Sequence, residues 1–447
     1  MWEDEREGSV PVAMSLINLI PAALRALPRD AVVLFLTRFL RLFAYGALSV
    51  VLVFHLVSLG LTTAQVGLLL TLTLAGDIAI SLLLTTRADQ TGRRRTLIVG
   101  AILMTGAGIA FASTHNLLFL IVAGTIGVIS PSGNEVGPFL SIEQAALSHV
   151  VSARSRTEVF AWYTLAGSVA TALGALCGGA ASGIVQKASF SASDSYRAVV
   201  LLYSALGLAL AFLFLTLSSS TEVRDSTPEE GVAAARKFLG VRHSRSIVFK
   251  LSSLFALDSF AGGYVVQSFS AYWFYLRFGV QPVTLGVIFF WANVLAGVSA
   301  LLASRLASRI GLVKTMVVTH LPSNVLLILV PLMPNLTLAV VVLLIRFSIS
   351  QMDVPTRQSY TMAVVRPEER SAAGGITGVA RTTGAAISPI FAGFLFSRPA
   401  LIDVPFFIAG ILKIGYDLAL YRGFAAVRPP EEADSSEVKV GQARIRS

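Results

Sequence analysis

Long apolar runs, each ending at charged residues, glycine or proline, recur along almost the whole chain of 447 residues. Each run is long enough to cross about 30 Å of hydrocarbon at ~1.5 Å per helical residue. Backbone polar groups in lipid must pair within their own segment, so helices are the only option at this length. We predict twelve transmembrane spans, at about residues 31–56, 64–86, 96–114, 117–147, 157–180, 196–218, 247–276, 283–304, 313–333, 336–364, 370–396 and 403–424.

The composition excludes other classes of protein. Hydrophobic residues make up 55% of the chain and charged residues 13%, about half of the ~25% that is usual in soluble domains. A disordered chain is excluded and a soluble enzyme is disfavoured. A single cysteine, Cys177, excludes an intrachain disulfide framework or a cysteine-built zinc site. The net charge of +10 reflects basic loops in a membrane protein, so we expect no nucleic-acid partner.

Basic residues concentrate in alternate loops, including Arg93 to Arg95 after the second span and residues 236–250 after the sixth. Because such loops stay in the cytoplasm, we expect both termini there, in a plasma (inner) membrane protein. The resulting domain prediction is a cytoplasmic segment 1–30, a six-helix bundle 31–218, a cytoplasmic linker 219–246, a second bundle 247–424 and a cytoplasmic tail 425–447.

An internal repeat relates the two halves. Residues 60–95 align with residues 279–314 without a gap, and three glycine pairs coincide: Gly60 with Gly279, Gly67 with Gly286 and Gly92 with Gly311. Two similar six-helix halves in parallel arrangement are typical of transporters that rock around a midplane site.

The loop after the second span reads Thr85-Thr86-Arg87-Ala88-Asp89-Gln90-Thr91-Gly92-Arg93-Arg94. Together with the repeat, this loop resembles the major facilitator superfamily, whose pattern is Gly, three residues, Asp, a basic residue, any residue, Gly and two basic residues. Asp89, Gly92, Arg93 and Arg94 match, whereas Thr85 and Gln90 depart from the pattern. The resemblance implies an all-α fold of two pseudo-symmetric six-helix bundles. It also implies a gating role for the four matching residues, which latch the cytoplasmic side shut. The alternative is a basic loop that only sets topology.

Charged residues inside the first two spans point to a functional site, because each costs about 2.5–3.5 kcal/mol at a helix centre. Arg38 and Arg41 lie three apart on one helix face, at a depth similar to that of Asp77 in the second span. We predict an arginine–Asp77 pair with one positive charge in excess. The two arginines are candidate substrate ligands and Asp77 is a candidate proton carrier. The alternative is a fixed ion pair that only docks the helices.

The fourth span contains two prolines and two glycines within residues 130–138, which must bend or unwind it. Broken backbone at membrane depth is tolerated where it meets protein or a water-filled cavity. Glu135 in this break is therefore the main proton-coupling candidate, and Asn134 is a candidate substrate contact. The alternative is a glutamate that only stabilises the kink. Glu143 is predicted to be a gate residue that pairs with loop arginines.

The tenth span carries Arg346, Asp353 and Arg357 on one face. Asp353 precedes Pro355 much as Glu135 precedes a proline in the fourth span, which predicts proton coupling at Asp353 and gating at Arg357. A local Asp353–Arg357 salt bridge is the alternative.

Further charges lie in three other spans of the second half. We predict that Asp258 in the seventh span and Arg381 in the eleventh line the central cavity and contact substrate. Lys413 and Asp417 in the twelfth span are four residues apart and are predicted to form a local pair.

Taken together, these features predict a secondary active transporter that works by alternating access. It would couple protons to the movement of a small polar or anionic organic solute, as a monomer in the lipid bilayer. The sequence lacks a phosphate-binding P-loop, and we predict no enzyme activity, no cofactor and no metal. A proton-antiport exporter of amphipathic drugs or lipids is one alternative. A non-transporting membrane receptor or scaffold on the same fold, with a closed cavity and fully paired carboxylates, is another.

Overall fold

A computed structural model of the chain describes residues 27–152, 156–222, 243–366, 369–425 and 427. Most of the predicted N-terminal segment, linker and tail lies outside these residues. The described residues are almost entirely helical and contain no strand.

Fifteen α-helices make up the described part of the chain. They are α1 Arg29–Ser58, α2 Thr63–Thr91, α3 Arg93–Ser113, α4 Leu117–Ile126, α5 Phe139–Val150, α6 Arg156–Lys187, α7 Ala192–Leu215, α8 Arg245–Gly263, α9 Gln267–Phe278, α10 Pro282–Ile310, α11 Leu312–Leu329, α12 Leu336–Ser350, α13 Asp353–Ala363, α14 Arg370–Phe396 and α15 Val404–Phe424.

Among the described residues, nine helical segments are long and apolar enough to cross a membrane. They correspond to predicted spans one to three, five, six and eight to eleven, where the tenth is counted as one segment, Leu336–Ala363, across the two residues that separate its helices. The fourth, seventh and tenth predicted spans are each divided in two, as α4 and α5, α8 and α9, and α12 and α13. Large apolar side chains such as Leu118, Phe249 and Ile411 are exposed on the outer surface, as expected of helices that face lipid. The all-helical membrane fold is confirmed, and the count of twelve spans stays a prediction.

The internal repeat is visible in the backbone. Gly92 joins α2 to α3 with φ 96°, and its aligned partner Gly311 joins α10 to α11 with φ 89°. Gly60 and Gly279 likewise have positive φ, of 92° and 68°. These values lie in a region that side chains with a Cβ rarely adopt. The aligned glycines therefore make equivalent turns in the two halves.

The two halves, α1–α7 and α8–α15, meet closely at one end of the molecule. We call it the Gly60 end, because it carries the turns at Gly60 and Gly279; the opposite end, with the α2–α3 turn, is the Arg93 end. A Cβ added at Gly67 would lie 2.4 Å from the Pro389 carbonyl oxygen, and one added at Gly286 would lie 2.8 Å from that of Ala175. Thus α2 packs on α14, and α10 packs on α6, at distances that exclude a side chain.

Three hydrogen bonds join the described residues of the two halves. Gln267 Nε2 donates to Ser49 Oγ at 2.8 Å, and the Ile390 N–H donates to Thr71 Oγ1 at 2.9 Å. The Ser268 N–H donates to the Pro131 carbonyl at 3.1 Å. Phe54 of α1 adds edge-on ring contacts with two tyrosines of α9. These contacts lie between the middle of the molecule and the Gly60 end.

Candidate functional site

A cavity of about 510 Å³ lies between the two halves. Its volume falls in the range of small-molecule binding sites. Residues 131–135, 265–267 and 351 line it, and they belong to the three places where a predicted span is divided. Broken backbone therefore faces a polar cavity, which is where it can be tolerated at membrane depth.

The break predicted in the fourth span is confirmed, since residues 127–138 between α4 and α5 are not helical. Gly133 and Gly137 within it have φ of 72° and 81°, so these turns require glycine. The breaks in the seventh and tenth spans were not predicted. The signals that could have revealed them are the pair Gly262–Gly263 and Pro355, because proline is favoured in the first turn of a new helix.

The first charged cluster joins α1 to the break and to α5. Arg38 Nη1 binds Glu135 Oε1 at 2.7 Å, and Arg41 Nη2 binds the same oxygen at 3.1 Å. Arg41 also makes two hydrogen bonds of 2.7 Å to the two oxygens of Glu143. Thr37 and Tyr163 donate further hydrogen bonds to Glu143. Two arginines and two glutamates thus balance one another.

Only part of this cluster reaches the cavity. Arg38, Glu135 and Asn134 line it, and their roles in substrate binding and proton coupling stay predictions. Arg41 is 0% exposed and lies behind Glu135, so the structure does not give it the predicted contact with substrate. The prediction for Glu143 is wrong in its partner: this buried carboxylate binds Arg41 in the interior, because α5 packs against α1 there, and not the loop arginines.

Asp77 does not pair with either arginine, so the predicted arginine–Asp77 pair is wrong. Both guanidinium groups already bind glutamates from the fourth span. The Asp77 carboxylate accepts a hydrogen bond of 2.6 Å from the Gly137 N–H and one of 3.3 Å from Ser81. Asp77 therefore holds the break from the side of α2 and has no ion-pair partner among the described residues.

Gly167 of α6 makes room for Arg38. A Cβ at this position would lie 2.7 Å from Arg38 Nε and 2.5 Å from a methyl group of Leu42. The Arg38 guanidinium also lies 4.4 Å from the centre of the Tyr163 ring, a favourable cation–π distance. The sequence does not predict this contact, because nothing in it distinguishes Gly167 from the many other glycines of the chain.

The second charged cluster surrounds Asp258 in α8. Arg357 Nη1 binds Asp258 Oδ2 at 2.9 Å, and Lys413 Nζ binds Oδ1 at 2.5 Å. Arg357 also binds Asp353 at 3.0 Å, one turn earlier in α13. The local Asp353–Arg357 bridge kept as an alternative is therefore present, and it belongs to a larger network. Asp258, Asp353 and Arg357 all line the cavity.

His320 of α11 also lines the cavity and connects this network to Asp417. Its Nε2 lies 3.7 Å from Asp258 Oδ1, and its Nδ1 lies 2.8 Å from Asp417 Oδ1. Asn324 donates to the other oxygen of Asp417 at 2.8 Å. The predicted Lys413–Asp417 pair is wrong, because the two side chains bind partners on different helices. Sequence reasoning missed His320, although a histidine and an asparagine four apart in an apolar helix were a signal.

The network around Asp258 already contains its own cations. Ligand atoms of Asp258, His320 and Asp353 lie within 4.8 Å of one another. However, the two carboxylates already bind Arg357 and Lys413, whose fixed positive charges take the place that a cation would need.

Two arginines line the cavity without such partners. Arg346 of α12 and Arg381 of α14 make no hydrogen bond or ion pair with any residue that the structure describes. The Nε atom of each is buried and has no acceptor. Arg381 lies in the cavity wall, and its contact with substrate stays a prediction. Arg346 joins it from the stripe predicted in the tenth span.

The loop between α2 and α3 is held by an acid that sequence reasoning missed. The N–H groups of Arg93 and Arg94 donate to the two carboxylate oxygens of Glu222 at 2.7 and 3.0 Å. Glu222 thus satisfies the free N–H groups at the start of α3. The Asp89 side chain lies outside the described residues. Gly92 forms the tight turn, and the latch role of this loop stays a prediction.

The model of the Major Facilitator Superfamily matches residues 34–389, with a second match at residues 259–447. An uncharacterized membrane protein of Saccharomyces cerevisiae is 31% identical over 430 residues, which cover 89% of this chain and 95% of that protein. Among solved structures, the nucleoside transporter NupG is 14% identical with a TM-score of 0.68, over 89% of this chain and 99% of NupG. A D-xylose–proton symporter is 14% identical with a TM-score of 0.66, over 88% and 97%.

Proposed function

The chain belongs to the major facilitator superfamily, and we propose that it is a proton-coupled secondary active transporter of a small polar or anionic organic solute, working by alternating access. Membership of this family makes it an integral membrane transporter rather than an enzyme. The observation that carries the finer proposal is the cavity of about 510 Å³, which both halves line and which inter-half contacts close toward the Gly60 end.

Alternating access requires two bodies that move about the solute. We propose that the bundles 31–218 and 247–424, joined by the linker 219–246, are these bodies. With the Arg93 end in the cytoplasm, the contacts of α2 with α14 and of α10 with α6 close the outer side. Rocking would separate these contacts and bring the Arg93 ends together. The loop with Asp89, Gly92, Arg93 and Arg94 would then latch the inner side.

Proton coupling is best supported at Asp77. Glu135 and Asp353 are each already bound by arginine, whereas Asp77 has no cationic partner within the described residues. Its charge accepts the Gly137 N–H bond at 2.6 Å. A proton on Asp77 would remove that charge, weaken this bond and loosen the break that carries Glu135. Proton binding would thus change the wall of the cavity through the break.

The charges in the wall suggest an anionic or strongly polar solute. Arg38 and Arg381 offer N–H donors, Asp258 anchors Arg357 and Lys413, and Asn134 is exposed to the cavity. Arg41 supports this surface from behind by holding Glu135 in place. We propose that the solute binds between Arg38 of one half and Arg381 of the other.

The test is solute uptake into proteoliposomes that contain the full chain, with an imposed pH gradient and the membrane potential clamped. The panel is labelled lactate, succinate, uridine and xylose. We expect at least one solute to accumulate only when the gradient is imposed. Asp77→Asn should abolish accumulation but retain exchange of labelled for unlabelled solute, because the site itself is intact.

The matched control is Asp194→Asn. Asp194 is exposed near the Gly60 end and binds only Ser191 within the described residues, so this variant should accumulate solute normally. Uptake by the wild-type protein that ignores the gradient, or full accumulation by Asp77→Asn, would contradict proton coupling at this residue.

A further inference from the structure

The cavity wall holds more positive than negative charge. Apart from His320, which lies between Asp258 and Asp417, its five basic side chains are Arg38, Arg346, Arg357, Arg381 and Lys413, and its three carboxylates are Glu135, Asp258 and Asp353. Glu135 is bound by Arg38, while Asp258 and Asp353 are bound by Arg357 and Lys413. The two cations in excess are therefore Arg346 and Arg381.

These two arginines lie near the same two acids. Both face the cavity from the second half, and the acids whose charges reach them are Asp258 and Asp353. Those acids are already shared by Arg357 and Lys413. The buried Nε atoms of both arginines lack acceptors, as do those of Arg38 and Arg357, but Arg346 and Arg381 also make no other hydrogen bond or ion pair among the described residues. A buried donor without a partner is costly. The two arginines therefore offer N–H donors and positive charge, and the described residues supply no acceptor or negative charge that would satisfy them. A bound ligand could supply both.

We propose that Arg346 and Arg381 form the binding site for a doubly charged oxyanion group of the solute, either a phosphate ester or a pair of carboxylates. This inference rests on the proposed transport function and names its substrate class. Guanidinium groups bind such oxygens through paired N–H bonds, and two negative charges would balance the two arginines.

The rest of the cavity suits the remainder of such a solute. Gln267 and Asn293 lie at the wall near the α8–α9 break and are hydrogen-bonded to each other at 3.1 Å. Asn134 and Ser132 offer polar groups from the other half. An anionic head on the second half and a polar body against the first would bring both halves into contact with one molecule.

The test measures ligand binding by thermal shift, with the purified full chain in lipid nanodiscs. The probes are glycerol 3-phosphate, succinate, lactate and glycerol, which carry two, two, one and no negative charges. We expect one of the two dianions to bind at least tenfold more tightly than lactate, and glycerol not to bind. Which dianion is preferred distinguishes phosphate from paired carboxylates.

Variants then locate the site. Arg346→Gln and Arg381→Gln should each weaken dianion binding about tenfold to hundredfold, the range for one lost charged hydrogen bond. Each should also bring the affinities for dianion and lactate together, because one surplus charge remains. Arg346→Lys keeps the charge but not the forked geometry, so it should lose less. Arg398→Gln, exposed at the Gly60 end, is the control and should bind as the wild type does.

Two results would overturn the inference: binding of glycerol as tight as that of the dianions, or unchanged dianion affinity in both glutamine variants. The unliganded melting temperature of each variant shows whether it is folded, and the lysine variant gives the same test if a glutamine variant is not.

The transport proposal and the dianion site can be refuted independently of each other. Gradient-driven uptake of xylose that dianions do not inhibit would refute the dianion site alone, whereas tight dianion binding without any flux would refute transport alone.

Discussion

Glu143 offers a direct measure of how strongly the first charged cluster stabilises the fold. Its carboxylate is 0% exposed and accepts two hydrogen bonds of 2.7 Å from Arg41 and one of 2.9 Å from Thr37. In Glu143→Gln the amide nitrogen would face donors, and Arg41 would retain only Glu135, which it shares with Arg38. Removal of one partner from a buried ion pair costs about 3–5 kcal/mol.

The neighbouring acid provides the comparison. The Glu135 side chain is 17% exposed and lines the cavity, so water can solvate Arg38 when the charge is removed. Arg41 would still hold Glu143. We therefore expect Glu135→Gln to cost about 1–3 kcal/mol, less than Glu143→Gln. The larger loss corresponds to roughly 150- to 4,000-fold in the folding equilibrium.

The assay is reversible unfolding of the detergent-solubilised chain by sodium dodecyl sulfate, followed by tryptophan fluorescence. The double variant Arg41→Met with Glu143→Met should recover most of the loss, because a buried pair is often replaced by apolar residues at no cost, and Arg38 keeps Glu135. The reasoning is refuted if Glu143→Gln is no less stable than Glu135→Gln, or if the double variant is no more stable than Glu143→Gln.

Two further predictions concern glycines that make room for neighbours. Gly67→Val should separate α2 from α14, because a Cβ there would lie 2.4 Å from the Pro389 carbonyl oxygen; faster hydrogen–deuterium exchange of both segments would show it, and unchanged exchange would contradict it. Gly167→Ala should displace Arg38, whose Nε would lie 2.7 Å from the new Cβ, and lower solute uptake severalfold. Gly106→Ala is the control for both, since beyond the neighbouring backbone of its own helix no atom of the described structure lies within 4 Å of a Cβ there.

The helical membrane fold was predictable because length and hydropathy decide it. The break in the fourth span was also predictable, since two prolines and two glycines in nine residues strongly disfavour a continuous helix. The divisions of the seventh and tenth spans were not, because a single glycine pair or a single proline is compatible with a continuous helix. In these spans, packing around the cavity decided the local structure.

The ion pairs were harder to predict than the residues that form them. The sequence singled out Arg41, Asp77 and Glu143 correctly as unusual charges in apolar spans. It could not give the packing of the fourth span against α1, which places Glu135 and Glu143 on Arg41 and leaves Asp77 with the Gly137 N–H. Lys413 and Asp417 show the same limit of prediction. Their spacing along one helix allows a local pair, but it does not show that adjacent helices offer better partners to both side chains.

The close contacts at the Gly60 end are crossed, and this has a mechanical consequence. The first helical hairpin of each half presents a glycine, Gly67 or Gly286, to a helix of the opposite half. Each half therefore contacts the other through the same part of its own repeat. Neither half is a fixed body against which only the other moves. In the proposed rocking motion both contacts must open, so a substitution that disrupts one of them should change the rate of the motion as much as a substitution in the other. Since the contacts at Gly67 and Gly286 involve backbone and small side chains rather than ions, their strength should also be nearly independent of ionic strength.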